Sequence, residues 1–115
     1  MHFVFVYGTL KKGYPNHHHL QGLKFEEAEA EGFNLHASAY LPYAVPGVGT
    51  IKGELYKVDS YKLQQLDRLE GHPHFYKRIA AKIRTAAGLF DAWIYICERG
   101  NLYPIILNGI WNTSF

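Results

Sequence analysis

Glu70 sits in the run Leu66-Asp67-Arg68-Leu69-Glu70-Gly71-His72-Pro73, at the predicted C-terminal end of a short helix. A carboxylate there meets the negative end of the helix dipole, which raises its pKa. A carboxylate that titrates closer to neutrality can take up a proton and give it back. The second group lies at the other end of the chain, where Tyr7-Gly8-Thr9-Leu10 directly follows the apolar run Phe3-Val4-Phe5-Val6. A strand that breaks into a glycine-containing loop can present backbone N–H groups to a carboxylate or an oxyanion. Each group also has an ordinary reading. On helix pattern alone Glu70 is a solvated last-turn residue, and Gly8 alone is a turn glycine.

Other residues with chemical potential are weaker candidates. Tyr76 and Tyr95 either line a pocket or serve as core aromatics with bonded hydroxyls. Glu54 alternates out of a strand and reads as structural or solvated. His72 and His74, with the run His17-His18-His19, invite a metal site, but their spacing fits no standard ligand pattern. No metal and no cofactor are therefore expected. Cys97 ends the apolar run Ala92-Trp93-Ile94-Tyr95-Ile96 and reads as a packed core thiol. As the single cysteine, it excludes an internal disulfide and a cysteine-based zinc cluster.

The elements that must position these groups can be read from pattern. The 115 residues fit one domain, 1–115, and a hydrophobic content of 48% is ample for a core. Residues 1–7 read as an opening strand, and residues 11–16 as a polar loop. The three histidines stay within the fold, and residues 20–23 form a short helical or turn segment. Residues 25–32 alternate acidic and small side chains, which fits strand or helix equally well. Residues 35–48, rich in proline, glycine and tyrosine, read as irregular structure around a short strand. Residues 50–58 form a strand. Asp59 or Ser60 then caps a helix with Leu63, Leu66 and Leu69 on one side, and Gly71 stands where a C-cap glycine belongs. Residues 76–84 and 90–96 form a hairpin turned by Thr85-Ala86-Ala87-Gly88. The tail, residues 98–115, is expected to wrap the core as a loop. The sum is an α+β domain, a small mixed β-barrel of about five or six strands with one or two short helices.

Charge and hydropathy narrow the function classes. Twelve basic against ten acidic residues give a net charge of +2, too balanced to argue for nucleic acid or an anionic membrane. The nine tyrosines are not interleaved with Lys or Arg, so they read as core and pocket aromatics rather than base-stacking platforms. No segment approaches the roughly 20 apolar residues of a membrane span, and no signal peptide is visible. A cytoplasmic protein is expected, a monomer with a dimer as the alternative.

Several segments taken in order resemble one family. Phe5-Val6-Tyr7-Gly8-Thr9-Leu10-Lys11-Lys12-Gly13, continuing to Pro15-Asn16-His17, resembles the N-terminal signature of the γ-glutamylcyclotransferase-like superfamily. The extended form is closest to the γ-glutamylamine cyclotransferase branch. Gly53-Glu54-Leu55-Tyr56-Lys57-Val58 is similar to its central strand. Leu66-Asp67-Arg68-Leu69-Glu70-Gly71, followed by Tyr76, is similar to the segment with its catalytic glutamate. Ala92-Trp93-Ile94-Tyr95 resembles its late strand, and Asn108-Gly109-Ile110-Trp111 its closing segment. The likeness spans nearly the whole chain, except between Leu23 and Gly49, where little matches.

The resemblance implies an intramolecular reaction. The α-amine of a γ-glutamyl compound attacks its own γ-carbonyl carbon and releases 5-oxoproline and a free amine or amino acid. It implies Glu70 as the catalytic proton shuttle, and Tyr7, Gly8, Thr9, Leu10, Tyr76 and Tyr95 as substrate-binding residues. The nucleophile belongs to the substrate, so no activated serine or cysteine is needed. A small-molecule γ-glutamyl substrate is the expected partner. The alternative is a module of the same fold that binds a small carboxylate without turnover.

Overall fold

Alternating burial on the first strand organises the molecule. In the computed structural model, which describes residues 1–112, β1 (His2–Val6) is covered on both faces. Phe5, with Tyr7 just beyond the strand, points into one core with Ile51, Leu55, Ile83 and Ile94. Val4 and Val6 point the other way, into a second core with Tyr56, Val58, Leu63 and Leu66. Period-two alternation thus serves two packing layers at once.

The first core fills a closed barrel of five strands in the order β1-β3-β2-β4-β5, with β2 at Phe25–Ala37, β3 at Pro42–Val58, β4 at Lys77–Thr85 and β5 at Gly88–Ile96. Neighbours are antiparallel except where β5 closes on β1 in parallel, Val4 opposite Trp93 and Phe5 opposite Ile94. Closure leaves the central strands without free edges. The second core lies outside the barrel, where the helix α1 (Ser60–Glu70) covers β1 and β3. No helix among the described residues is long and apolar enough to cross a membrane.

Both ends of α1 follow the capping chemistry expected of them. The Asp59 carboxylate accepts from the Lys62 amide at 2.7 Å. Gly71 takes the left-handed conformation (φ 69°, ψ 31°), and its amide reaches back to the carbonyls of Asp67 and Arg68. Leu63 and Leu66 are buried, but Leu69 is 39% exposed rather than in the core.

Two further expectations need correction, and one left open is settled. Residues 35–48 are not irregular: they are the outer half of the long β2–β3 hairpin, with Phe33 opposite Pro46 and Ala37 opposite Pro42. Pro42 and Pro46 are tolerated because this part of β3 extends beyond its pairing with β1, which involves only Glu54 to Val58, and carries a ladder on the β2 side only. Beyond β4 the outer flank of β2 is covered by the tail, where the Ile106 amide donates to the Leu35 carbonyl at 2.7 Å. Residues 25–32, open between helix and strand on sequence, are strand, because alternate alanines 28 and 30 face the barrel interior. Within the polar loop, Lys11 is buried: its Nζ donates to the Trp111 carbonyl at 2.8 Å and lies 4.9 Å from the centre of the Tyr14 ring. The tail contains 3₁₀ structure at Glu98–Leu102 and then irregular chain that delivers Trp111 to the core. Its last residues, 113–115, lie outside the described residues.

Candidate active site

Where β1 ends, the chain turns away at Gly8 and the cleft begins. A side chain on Gly8 would meet Pro42, an added Cβ lying 2.6 Å from its Cγ, so glycine lets the loop lie against the start of β3. The loop is braced from behind. Asn16 donates through its backbone amide to the Thr9 carbonyl and through its side chain to the Thr9 hydroxyl, both at 2.9 Å. Lys11 donates its amide to the Gly8 carbonyl at 3.0 Å. The amides of Gly8, Thr9 and Leu10 have no acceptor among the described residues. Free consecutive N–H groups on a cleft wall can hold an anion.

α1 delivers Glu70 to the same cleft. The cleft measures about 250 Å³, and Tyr7, Gly8, Thr9, Leu10, Glu70, Tyr76 and Tyr95 all line it. The structure therefore brings together every residue singled out for catalysis or binding, although they span most of the sequence. Glu70 is half-buried, and its carboxylate has no hydrogen-bond or ion-pair partner among the described residues. Burial pushes its pKa from 4.5 to about 7. Burial, rather than the helix dipole expected to supply that shift, is the cause the structure shows. The terminal carbonyls of Asp67, Arg68 and Glu70 accept from the His72, Gly71 and Tyr76 amides.

The three tyrosines line the cleft with their rings while their hydroxyls are committed elsewhere. The Tyr7 hydroxyl donates to the Tyr95 carbonyl at 2.6 Å and accepts from the Ala44 amide at 3.0 Å. The Tyr76 hydroxyl donates to the Pro42 carbonyl at 2.7 Å. The Tyr95 hydroxyl donates to Asp67 Oδ1, also at 2.7 Å. Burial raises all three hydroxyl pKa values, and the Glu70 charge adds to each. They stay protonated and act as struts that fix the cleft.

Two residues missed on sequence hold Glu70 in place. Asp67, one helical turn before Glu70, accepts a bidentate pair from Arg78 at 2.8 and 3.1 Å. Burial pushes the Asp67 pKa up, but the Arg78 and Tyr95 hydrogen bonds outweigh it and hold the carboxyl below its usual range. Arg78 is in turn packed on the Trp93 ring at 4.2 Å. The clamp ties the last turn of α1 to β4 and β5. The signal for it was the Asp67–Glu70 spacing of three, which places the pair on adjacent helix positions. His72 accepts from the Arg78 amide at 2.9 Å through Nδ1, a structural use of a residue considered for metal binding. Glu54 is also structural: it accepts from the Lys12 amide and the Tyr56 hydroxyl, both at 2.9 Å.

With this geometry in view, comparison with known proteins is decisive. The family described as γ-glutamyl cyclotransferase, AIG2-like, matches residues 4–113. The chain belongs to that family. A γ-glutamylcyclotransferase family protein of Escherichia coli K12 is 33% identical over 110 residues, covering 94% of each chain. Among solved structures, an AIG2-like protein from Mus musculus superimposes with a TM-score of 0.83 at 28% identity, covering 97% of this chain and 88% of the other. An uncharacterised protein from Pyrococcus horikoshii superimposes with a TM-score of 0.79 at 33% identity, covering 96% and 89%. The family's cyclotransferase activity is thus the frame for this cleft, and the fold of its members is the fold found here.

Proposed function

We propose that this chain is a γ-glutamyl cyclotransferase that converts a γ-glutamylamine or γ-glutamyl amino acid into 5-oxoproline and the free amine or amino acid. The observation that carries the reading is Glu70: an unpaired carboxyl, pushed by burial to a pKa of about 7, on the wall of a cleft that also holds the free amides of Gly8, Thr9 and Leu10. A carboxylate designed only for structure is normally paired; one kept unpaired near neutrality is suited to proton transfer.

The steps follow from this placement. The Gly8–Leu10 amides hold the glutamyl carboxylate or the developing oxyanion. Glu70 takes a proton from the substrate α-ammonium. The freed amine attacks the γ-carbonyl carbon and closes a five-membered ring. The attacking nitrogen gives its second proton to solvent as the ring closes, the tetrahedral intermediate collapses, the carbon–nitrogen bond to the leaving group breaks, and the proton held on Glu70 passes to the departing nitrogen. The rigid cleft favours the folded substrate conformer, which lowers the entropic part of the barrier. The struts at Tyr7, Tyr76 and Tyr95 supply that rigidity.

The test is incubation with a panel of γ-glutamyl amines and γ-glutamyl amino acids, scored for 5-oxoproline by mass. Formation of 5-oxoproline from at least one compound is expected. A panel that binds without product would instead identify a carboxylate-binding module, and a panel that neither binds nor reacts would remove the substrate class altogether.

A further inference from the structure

The cleft carries an uneven distribution of charge and apolar surface that the cyclisation steps leave unused. Among its lining residues Glu70 is the one acid and Arg68 the one base. Glu70 is half-buried and Arg68 exposed, so of the two charged residues lining the cleft the acid is the less accessible to solvent. Arg68 has no ion-pair or side-chain hydrogen-bond partner among the described residues, unlike Arg78, Lys82 and Arg84, which are all paired. The cleft is also lined by two apolar side chains that the core does not use. Leu69 is 39% exposed and Phe75 is 48% exposed, and both line the same cleft. Exposed apolar side chains lining a cleft mark a surface that a ligand covers.

We infer that Arg68, with the collar of Leu69 and Phe75, selects the leaving group, favouring γ-glutamyl amino acids with an apolar side chain and a free α-carboxylate over γ-glutamylamines that lack the carboxylate. This rests on the cyclotransferase reading above. The glutamyl half is accommodated by Glu70 and the free loop amides. What remains of the cleft faces the other half of the substrate and offers one cation and an apolar wall. A planar guanidinium matches a carboxylate through two parallel hydrogen bonds. A cationic leaving group, such as a long diamine, meets an unpaired positive charge and is disfavoured.

The experiment compares γ-glutamyl-leucine with γ-glutamyl-3-methylbutylamine, which differs only in lacking the leucine carboxylate. For the wild-type protein, kcat/KM is expected to be about tenfold higher for the leucine compound, the scale of one charge-assisted pair at a partly exposed site. Arg68→Gln should collapse that ratio to within about twofold, mostly through KM, and Arg68→Lys should retain part of it. Equal kcat/KM values in the wild type, or a preference that survives in Arg68→Gln, overturn the assignment. If neither compound yields 5-oxoproline, the cyclotransferase reading is decided separately by the wider panel. The Arg68 assignment is then judged from calorimetric Kd values of the same two compounds, where equal affinities overturn it and an Arg68-dependent preference upholds it.

Discussion

At the residue scale the central fact is the cost of Glu70. Its carboxyl is raised from 4.5 to about 7 in the folded chain, so folding favours its protonated form. The sign follows directly. Stability from this group is complete below about pH 4.5, declines as pH rises, and is lost above about 7. Glu70→Gln removes that dependence. The variant should match the wild type near pH 4 and exceed it at pH 8 by about 1–3 kcal/mol, judged from the size of the shift. Paired urea titrations at the two pH values measure this, and a variant less stable than wild type at pH 8 would show that Glu70 is not the desolvated group described. Such a residue is one a protein keeps for function against stability. Sequence reached Glu70 and the Tyr7–Leu10 loop because both sit at element ends, where capping and turn residues are legible. The source of the pKa shift was not legible, because burial is a tertiary property. Nor could sequence assign the tyrosine hydroxyls, whose acceptors at Pro42, Asp67 and Tyr95 lie 34, 28 and 88 residues away.

At the element scale, α1 is the part that aims the carboxyl, and its last turn is held from two directions. Gly71 ends it, and the Asp67–Arg78 pair with the Tyr95 hydroxyl ties it to the barrel. Both partners of the pair are only 18% exposed in their side chains, so removing one leaves a poorly solvated charge. Asp67→Asn is expected to destabilise the protein by about 2–4 kcal/mol near neutral pH. Because the Asp67 pKa is lowered on folding, the wild-type advantage is present above the ordinary value of 3.8 and vanishes as pH falls through the folded value. The same variant should lose kcat with its far-ultraviolet spectrum intact, since a slackened helix end misplaces Glu70. Unchanged stability and unchanged kcat would show that the clamp positions nothing. The helix was readable because its caps and its leucine spacing agreed. The outer half of the β2–β3 hairpin was not. Prolines and glycines at 42, 46, 47 and 49 carry turn chemistry locally, and only their place on β3 beyond the reach of β1 makes them compatible with strand.

At the scale of the whole molecule, the closed barrel makes a cleft out of distant sequence. Parallel closure of β5 on β1 brings Tyr95 beside Tyr7, and α1 crosses the outside of the same strands to bring Glu70 to the loop. The strand count and the mixed character were legible from hydrophobic alternation. The parallel closure was not, because a pairing between the first strand and the last leaves no local mark. The tail completes the assembly through Trp111, whose carbonyl holds Lys11 immediately after the loop at Leu10. All these connections converge on one claim, that Glu70 carries the proton in ring closure. The most direct measurement is the rate of 5-oxoproline release by wild type and Glu70→Gln, side by side, on a compound the wild type turns over, from pH 5 to 9. The wild-type rate should rise with pH through about 7 as the carboxyl ionises. Glu70→Gln should bind the compound nearly as well and release 5-oxoproline about 10²- to 10⁴-fold more slowly, without that rise. A Glu70→Gln protein with the wild-type rate and the wild-type pH profile would contradict the account.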